Sequence, residues 1–209
     1  MKILQINALF GNKSTGNIDK DIHTLLRLEG FESRVVSVSA SEASEGVVAL
    51  GYGLESKLHA VMSRIDGAQG FYSKRGTRKL VRALASDKPD IIHIHNLHSN
   101  FINLPILFDF ASRNKIPVMM TFHDAWYFTG KCYHFLDIGC DRWKTECHGC
   151  PKKKKDIPSL IDSSRRIFRK KKKLYSSVDL HVVGEDAMIE VAIRAMELVI
   201  PERQGSDQW

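Results

Sequence analysis

At 209 residues, 43% of them hydrophobic, the chain is long enough to bury a full core as one domain with at most an appendage. The N-terminus lacks the long apolar segment and cleavage site of a signal peptide, and nowhere do about 18 apolar residues run together, so cytoplasmic residence is the default expectation. The net charge of +7 is concentrated: eleven Lys or Arg stand against two Asp between Lys152 and Lys173, which leaves the rest of the chain slightly acidic. Such a patch suits an anionic partner, whether lipid head groups, nucleic acid or a phosphorylated substrate, or it is simply a solvated helix face.

The first predicted strand is Lys2 to Asn7, with Ile3, Leu4 and Ile6 as its apolar residues. It runs into Gly11-Asn12-Lys13-Ser14-Thr15-Gly16-Asn17 and then a helix with Ile18, Ile22, Leu25, Leu26 and Leu28 placed inward by their spacing. Glycines between a strand end and a helix start let backbone N–H groups approach a phosphate. Gly16 and Asn17 are candidates on that ground, although the spacing fits neither common phosphate-loop pattern and any strand-to-helix turn can use glycine. Ser33 to Val38 reads as a second strand, Ala40 to Gly53 as a loop, and Glu55 to Ile65 and Thr77 to Ala85 as helices. Ile91 to His95 is an apolar strand interrupted by histidines, Leu104 to Asn114 a helix, and Pro117 to Phe122 another strand. This alternation predicts an α/β fold, a single doubly wound Rossmann-like parallel sheet with helices on both faces.

Ligands of such sheets collect outside the carboxyl ends of the strands, at the point where strand order reverses. Three polar strand exits can converge there: Gly11 to Asn17, His95 to Asn100 and His123 to Trp126. His95 and His123 are candidate chemical groups by position, His123 with Asp124 beside it, because imidazole near neutrality moves protons and binds sugar or phosphate oxygens. His93 reads as a satisfied core histidine, and His59 and His98 as surface groups on the residue-type argument alone.

All four cysteines, Cys132, Cys140, Cys147 and Cys150, fall within nineteen residues. In a reducing compartment such a cluster favours metal or redox chemistry over disulfides. Four thiolates suit a structural zinc, which would leave no open position for catalysis. Cys147-His148-Gly149-Cys150 also has the spacing of a redox pair, and plain thiols packed beside Trp126, Phe135 and Trp143 are the third reading.

The segments Thr121-Phe122-His123-Asp124-Ala125-Trp126-Tyr127-Phe128-Thr129-Gly130-Lys131-Cys132, Cys140-Asp141-Arg142-Trp143 and Cys147-His148-Gly149-Cys150-Pro151, with Pro89 to His98 and Ser14 to Ile18, resemble a bacterial branch of glycosyltransferase family 4. The resemblance runs from about Met1 to Val183 and implies the N-terminal, acceptor-side lobe of a two-lobed GT-B enzyme. It implies transfer of a sugar, with retention, from a nucleotide-sugar donor to a glycan or lipid-linked acceptor without a catalytic metal. His123 then meets the donor sugar and Gly16 approaches the donor phosphates. Asp124 supports His123, Trp126 shapes the acceptor side, and His95, Asn96 and His98 line the same cleft. Residues 152–173 match a peripheral contact with an anionic membrane.

After Val183 the resemblance stops. Residues 184–209 read as an atypical helical tail, helix-like from Ala187 to Val199, in place of a second lobe. That predicts a truncated or frameshifted product, a natural single-lobe protein, or one that works with a separate donor lobe or as a dimer, with little or no activity of its own. The competing reading is a zinc-stabilised binding module that uses its basic helix on membrane or nucleic acid. Nucleic acid is the weaker option, because no recognition motif or aromatic platform accompanies the charge.

Overall fold

The computed structural model describes residues 1–184. The expected tail from Ala187 to Val199 lies outside these residues. Eight strands and five α-helices follow one another as β1 (Lys2–Ile6), β2 (Leu9–Phe10), α1 (Lys13–Leu28), β3 (Glu32–Ser37), β4 (Ser39–Ala40), β5 (Val47–Ala49), α2 (Leu54–Asp66), α3 (Lys74–Ser86), β6 (Ile91–Ile94), α4 (Leu104–Asn114), β7 (Val118–Phe122), α5 (Ser164–Tyr175) and β8 (Leu180–Gly184). Six of the strands form one parallel sheet in the order β5-β3-β1-β6-β7-β8, and β2 pairs with β4. The chain builds outward from β1 through β3 to β5, then returns to place β6 on the other side of β1. Strand order therefore reverses between β1 and β6, as the doubly wound reading requires.

The two faces of this sheet differ in chemistry. Side chains alternate along a strand, so Leu4 and Ile6, Ile92 and Ile94, and Val118, Met120 and Phe122 share one face. All are buried in the main core with Leu107 and Phe108 of α4. The opposite face carries Gln5, Ser33 and His93, Gln5 registering with His93 and Ser33 with Ile3. These polar groups are also buried.

That polar face explains one departure from the expected pattern. The residues that α1 buries are Gly16, Asp19 and His23, whereas Leu25 and Leu28, read as inward, are 60% and 76% exposed. The helix packs its small and polar stripe on a polar sheet face, so Ile18, Ile22 and Leu26 are only partly buried beside it and Leu25 and Leu28 face solvent. Gly16 lies inside the first turns of α1 rather than in a loop, and a Cβ there would come within 3.1 Å of the Leu9 carbonyl oxygen. Its lack of a side chain lets the helix start close against β2. The 40–53 loop holds the short edge strand β5, whose three residues carry too little pattern to be read from sequence.

Candidate functional site

The carboxyl ends of β1, β6 and β7 meet at the reversal point. Asn7, just past β1, joins that exit to α1 and to the β6 exit: its Nδ2 donates to the Thr15 carbonyl in α1 at 3.1 Å, and its Oδ1 accepts from the Asn96 N–H at 3.3 Å. His95 and His123, leaving β6 and β7, approach ring to ring with Nδ1 of His95 and Nε2 of His123 3.4 Å apart. His98 Nε2 is 2.8 Å from Asp124 Oδ2, while the other Asp124 oxygen accepts from the Trp126 N–H at 2.8 Å. One short turn thus fixes the carboxylate and aims it at an imidazole from the neighbouring strand.

Aromatic groups wall this cluster. The His98 ring lies 4.4 Å from that of Tyr133 and 5.9 Å from that of Trp126. Tyr127, fully buried, donates its hydroxyl to the His95 carbonyl and accepts from the Leu97 N–H at 3.2 Å, which locks the β6 exit onto the segment after β7. His98 is therefore not a surface group but half-buried and paired. His59 is buried as well, with Nδ1 2.7 Å from Ser73 Oγ and Nε2 accepting from the Gly70 N–H at 3.1 Å. Burial pushes its pKa down to about 4, so it is a neutral structural link between α2 and the turn that follows it. His93 is a core histidine as read, 2.8 Å from Thr121 Oγ1.

Burial dominates the titration of the inner groups. It pushes His93 down to about 4 and His95 down to about 2, with neighbouring histidines adding to the effect. Asp19 is pushed up to about 7 by burial, tempered by the nearby Asn7 amide. Neither Asp19 oxygen has a hydrogen-bond partner, and Oδ1 is 3.8 Å from His95 Nε2. Sequence reasoning missed Asp19, Gln5 and Ser33. The available signal was a helix whose polar residues at positions 16, 19 and 23 share one face.

Of the expected site residues, His95, Asn96, His98, His123, Asp124 and Trp126 are brought together. Gly16 and Asn17 are on α1, following the Thr15 whose carbonyl accepts from Asn7, Gly16 buried and Asn17 exposed. Trp126 is 1% exposed, and Lys171 Nζ lies 3.7 Å over its ring while donating to the Trp126 carbonyl. Trp126 thus supports the turn from beneath.

The cysteine segment folds back under the site. Thr129 Oγ1 donates to the Cys132 carbonyl at 2.7 Å, and Cys147 Sγ accepts from the Gly130 N–H at 3.2 Å. All four cysteines are free thiols. Cys132 is in electrostatic reach of Cys140 and Cys150, and Cys147 of Cys132 and Cys150. Burial pushes Cys147 up to about 12 and raises Cys132 and Cys150, so the packed thiols are protonated. Among the described residues no three His, Cys, Asp or Glu side chains close on a point that holds a metal ion.

The basic run is not one solvated patch. Lys152 is 3% exposed, donating to the His134 carbonyl at 2.9 Å and pairing with Asp156 at 3.0 Å. Lys171 is buried too, and burial lowers it to about 7. These two lysines are internal fastenings of the loop. The solvent-facing charge resides on Lys154, Lys155, Arg165, Arg166, Arg169, Lys170, Lys172 and Lys173.

A parallel doubly wound sheet with a histidine and carboxylate cluster at its reversal point is a Rossmann-like arrangement. The profile of Glycosyltransferase Family 4 matches residues 21–193, and the chain belongs to that family. It is 26% identical over 188 residues to the Escherichia coli (strain K12) protein whose name assigns it to colanic acid biosynthesis as glycosyl transferase WcaC. That match covers 84% of this chain and 45% of the relative, so the chain spans about half the length of the curated relative it matches. No helix among the described residues is long and apolar enough to cross a membrane.

Proposed function

We propose that the chain provides the acceptor-side half-site for retaining transfer of a sugar from a nucleotide-sugar donor to a glycan or lipid-linked acceptor. The observation that carries this reading is the convergence of His95, His98, His123 and Asp124 at the reversal point of a family 4 sheet. In it His123 lies against the donor sugar, the His98–Asp124 pair orients an acceptor hydroxyl, and Gly16 with Asn17 borders the donor phosphates. Transfer also needs cationic or N–H groups on the departing diphosphate. The match spans about half the length of the curated relative, and on this reading the chain alone has weak activity or none.

The test is a titration of the isotope-labelled chain with nucleotide sugars and with oligosaccharide acceptors. Resonances of His98, His123 and Asp124 should shift, and His123→Ala should abolish the donor-induced part. If both ligand classes leave these residues untouched while salt-sensitive binding to anionic polymers or vesicles persists in His123→Ala, the binding-module reading replaces this one.

Two further proposals attach to the same reading. The exposed cations next to the apolar, solvent-facing Leu58, Val61, Leu160 and Ile161 suit peripheral contact with an anionic membrane carrying a lipid-linked acceptor. Zinc would require the four thiols to draw together from their present positions, and their mutual proximity supports this. Elemental analysis of reductively purified protein should then give near-stoichiometric zinc, and trace amounts would remove the proposal.

A further inference from the structure

The polar face of the sheet carries a continuous run of hydrogen bonds from α1 to the site, and its direction can be worked out from one end. His23 Nε2 is 3.0 Å from the Glu45 carbonyl, which can only accept, so Nε2 carries the hydrogen. Burial lowers the His23 pKa and keeps the ring neutral, so its Nδ1 is an acceptor. Ser33 Oγ, 2.8 Å away, therefore donates to it. With its hydrogen so used, Ser33 Oγ accepts from Gln5 Nε2 at 3.3 Å, which turns the amide oxygen of Gln5 the other way. That oxygen is 3.3 Å from His95 Nε2, so Nε2 of His95 is the protonated nitrogen. The Asp19 oxygen at 3.8 Å is beyond hydrogen-bond length and leaves this assignment in place. His95 is neutral, so its Nδ1 is an acceptor, and the group 3.4 Å from it is His123 Nε2.

We propose that this directional chain, from the Glu45 carbonyl through His23, Ser33, Gln5 and His95, holds His123 as the Nε2–H tautomer and makes Gln5, Ser33 and His23 positioning residues of the site. The acceptor nitrogen of His123 is then Nδ1. On the glycosyltransferase reading, on which this last step alone rests, His123 takes a hydrogen bond from a sugar hydroxyl rather than giving one to a phosphate oxygen. The three inner links, His23 to Ser33, Ser33 to Gln5 and Gln5 to His95, are buried, and the two end links, to the Glu45 carbonyl and to His123, are part-buried, so water competes least for the direction of the inner links.

The tautomer is measured by long-range proton–nitrogen correlation on the histidine-labelled whole chain at mildly alkaline pH. The expected spectrum shows His95 and His123 both as Nε2–H. Ser33→Ala releases the Gln5 amide to rotate, and the Nε2–H pattern of His123 should be lost in favour of a mixture, with Ser33→Thr restoring it. A wild-type His123 protonated on Nδ1 overturns the proposal, and so does a pattern indifferent to Ser33→Ala in the folded variant. If Ser33→Ala does not fold, the wild-type spectrum still decides. Adding a methyl glycoside and, separately, inorganic pyrophosphate tests the hydroxyl step apart from the tautomer. A shift of Nδ1 with the glycoside is expected, and a shift with pyrophosphate alone overturns that step.

Discussion

Asp19 is a carboxyl group held without a hydrogen bond in a fully buried position, and its protonation sets a pH dependence for the whole fold. Its pKa is raised from 3.8 to about 7. The folded protein therefore holds a proton that the unfolded chain releases, and stability falls as pH rises from about 4 to about 7, then stays level with respect to this group. At about 1.4 kcal/mol per unit, the loss is at most about 4 kcal/mol. Asp19→Asn keeps the shape and removes the ionisation. Its melting temperature should match wild type near pH 4 and exceed it near pH 8, by thermal melts at matched ionic strength. Equal differences at both pH values would show that Asp19 is not the titrating group. This residue was invisible in the sequence because a lone Asp between Ile18 and Lys20 reads as the solvent side of an amphipathic helix. Only the polar sheet face makes it internal.

At the scale of elements, the major alternation of strands and helices was legible. Apolar runs such as Ile91-Ile92 and Val118 to Phe122 have few alternatives, and Pro and Gly punctuate their ends. The strand exits were legible too, and they put His95, His123 and Asp124 at the reversal point, whereas residue type alone put His98 at the surface. What could not be read was the use of charge inside the 130–163 segment. Lys131, 1% exposed, donates to Ser159 Oγ at 2.6 Å and to the Lys153 carbonyl at 3.2 Å, so it replaces the backbone pairing that a loop without strands lacks. The same segment meets α5 at Gly130, where an added Cβ would sit 2.6 Å from the Ser164 carbonyl oxygen and 2.8 Å from Ser164 Cβ. Neither group is the free end of a flexible side chain, so Gly130→Ala must push α5 away from the site turn. The expected cost is about 1–3 kcal/mol, a fall of roughly 0.5–1.5 M in the urea midpoint. An unchanged midpoint would mean that α5 shifts without loss.

For the molecule as a whole, the placement of charge relative to the site matters more than the net value. The C-terminal end of α2 borders the histidine cluster: Ser63 Oγ is 3.3 Å from Asn100 Oδ1, and Tyr133, packed on His98, donates to Gln69 Oε1 at 3.1 Å. Along the same helix, Leu58 and Val61 are 57% and 53% exposed, and the segment carrying Leu160 and Ile161 is bonded to the Arg64 and Ile65 carbonyls at 3.0 and 2.8 Å. Lys153 and Lys154 line the same apolar groove as Val61 and Leu160. A membrane contact through this face would hold the site mouth near the head groups, where a lipid-linked sugar is presented. Co-sedimentation should then show binding to vesicles containing anionic lipid and weak binding to neutral ones. Each Lys near the surface is worth about 1 kcal/mol, so Lys154→Gln with Lys155→Gln should weaken binding roughly thirtyfold at low salt. Raising salt should narrow that gap, because exposed charges are screened beyond about 10 Å at 0.1 M. Leu160→Ser with Ile161→Ser should weaken binding at every salt concentration, since apolar insertion is not screened. If the lysine pair matters and the apolar pair does not, the contact is electrostatic only. If neither pair matters, this face does not touch the membrane.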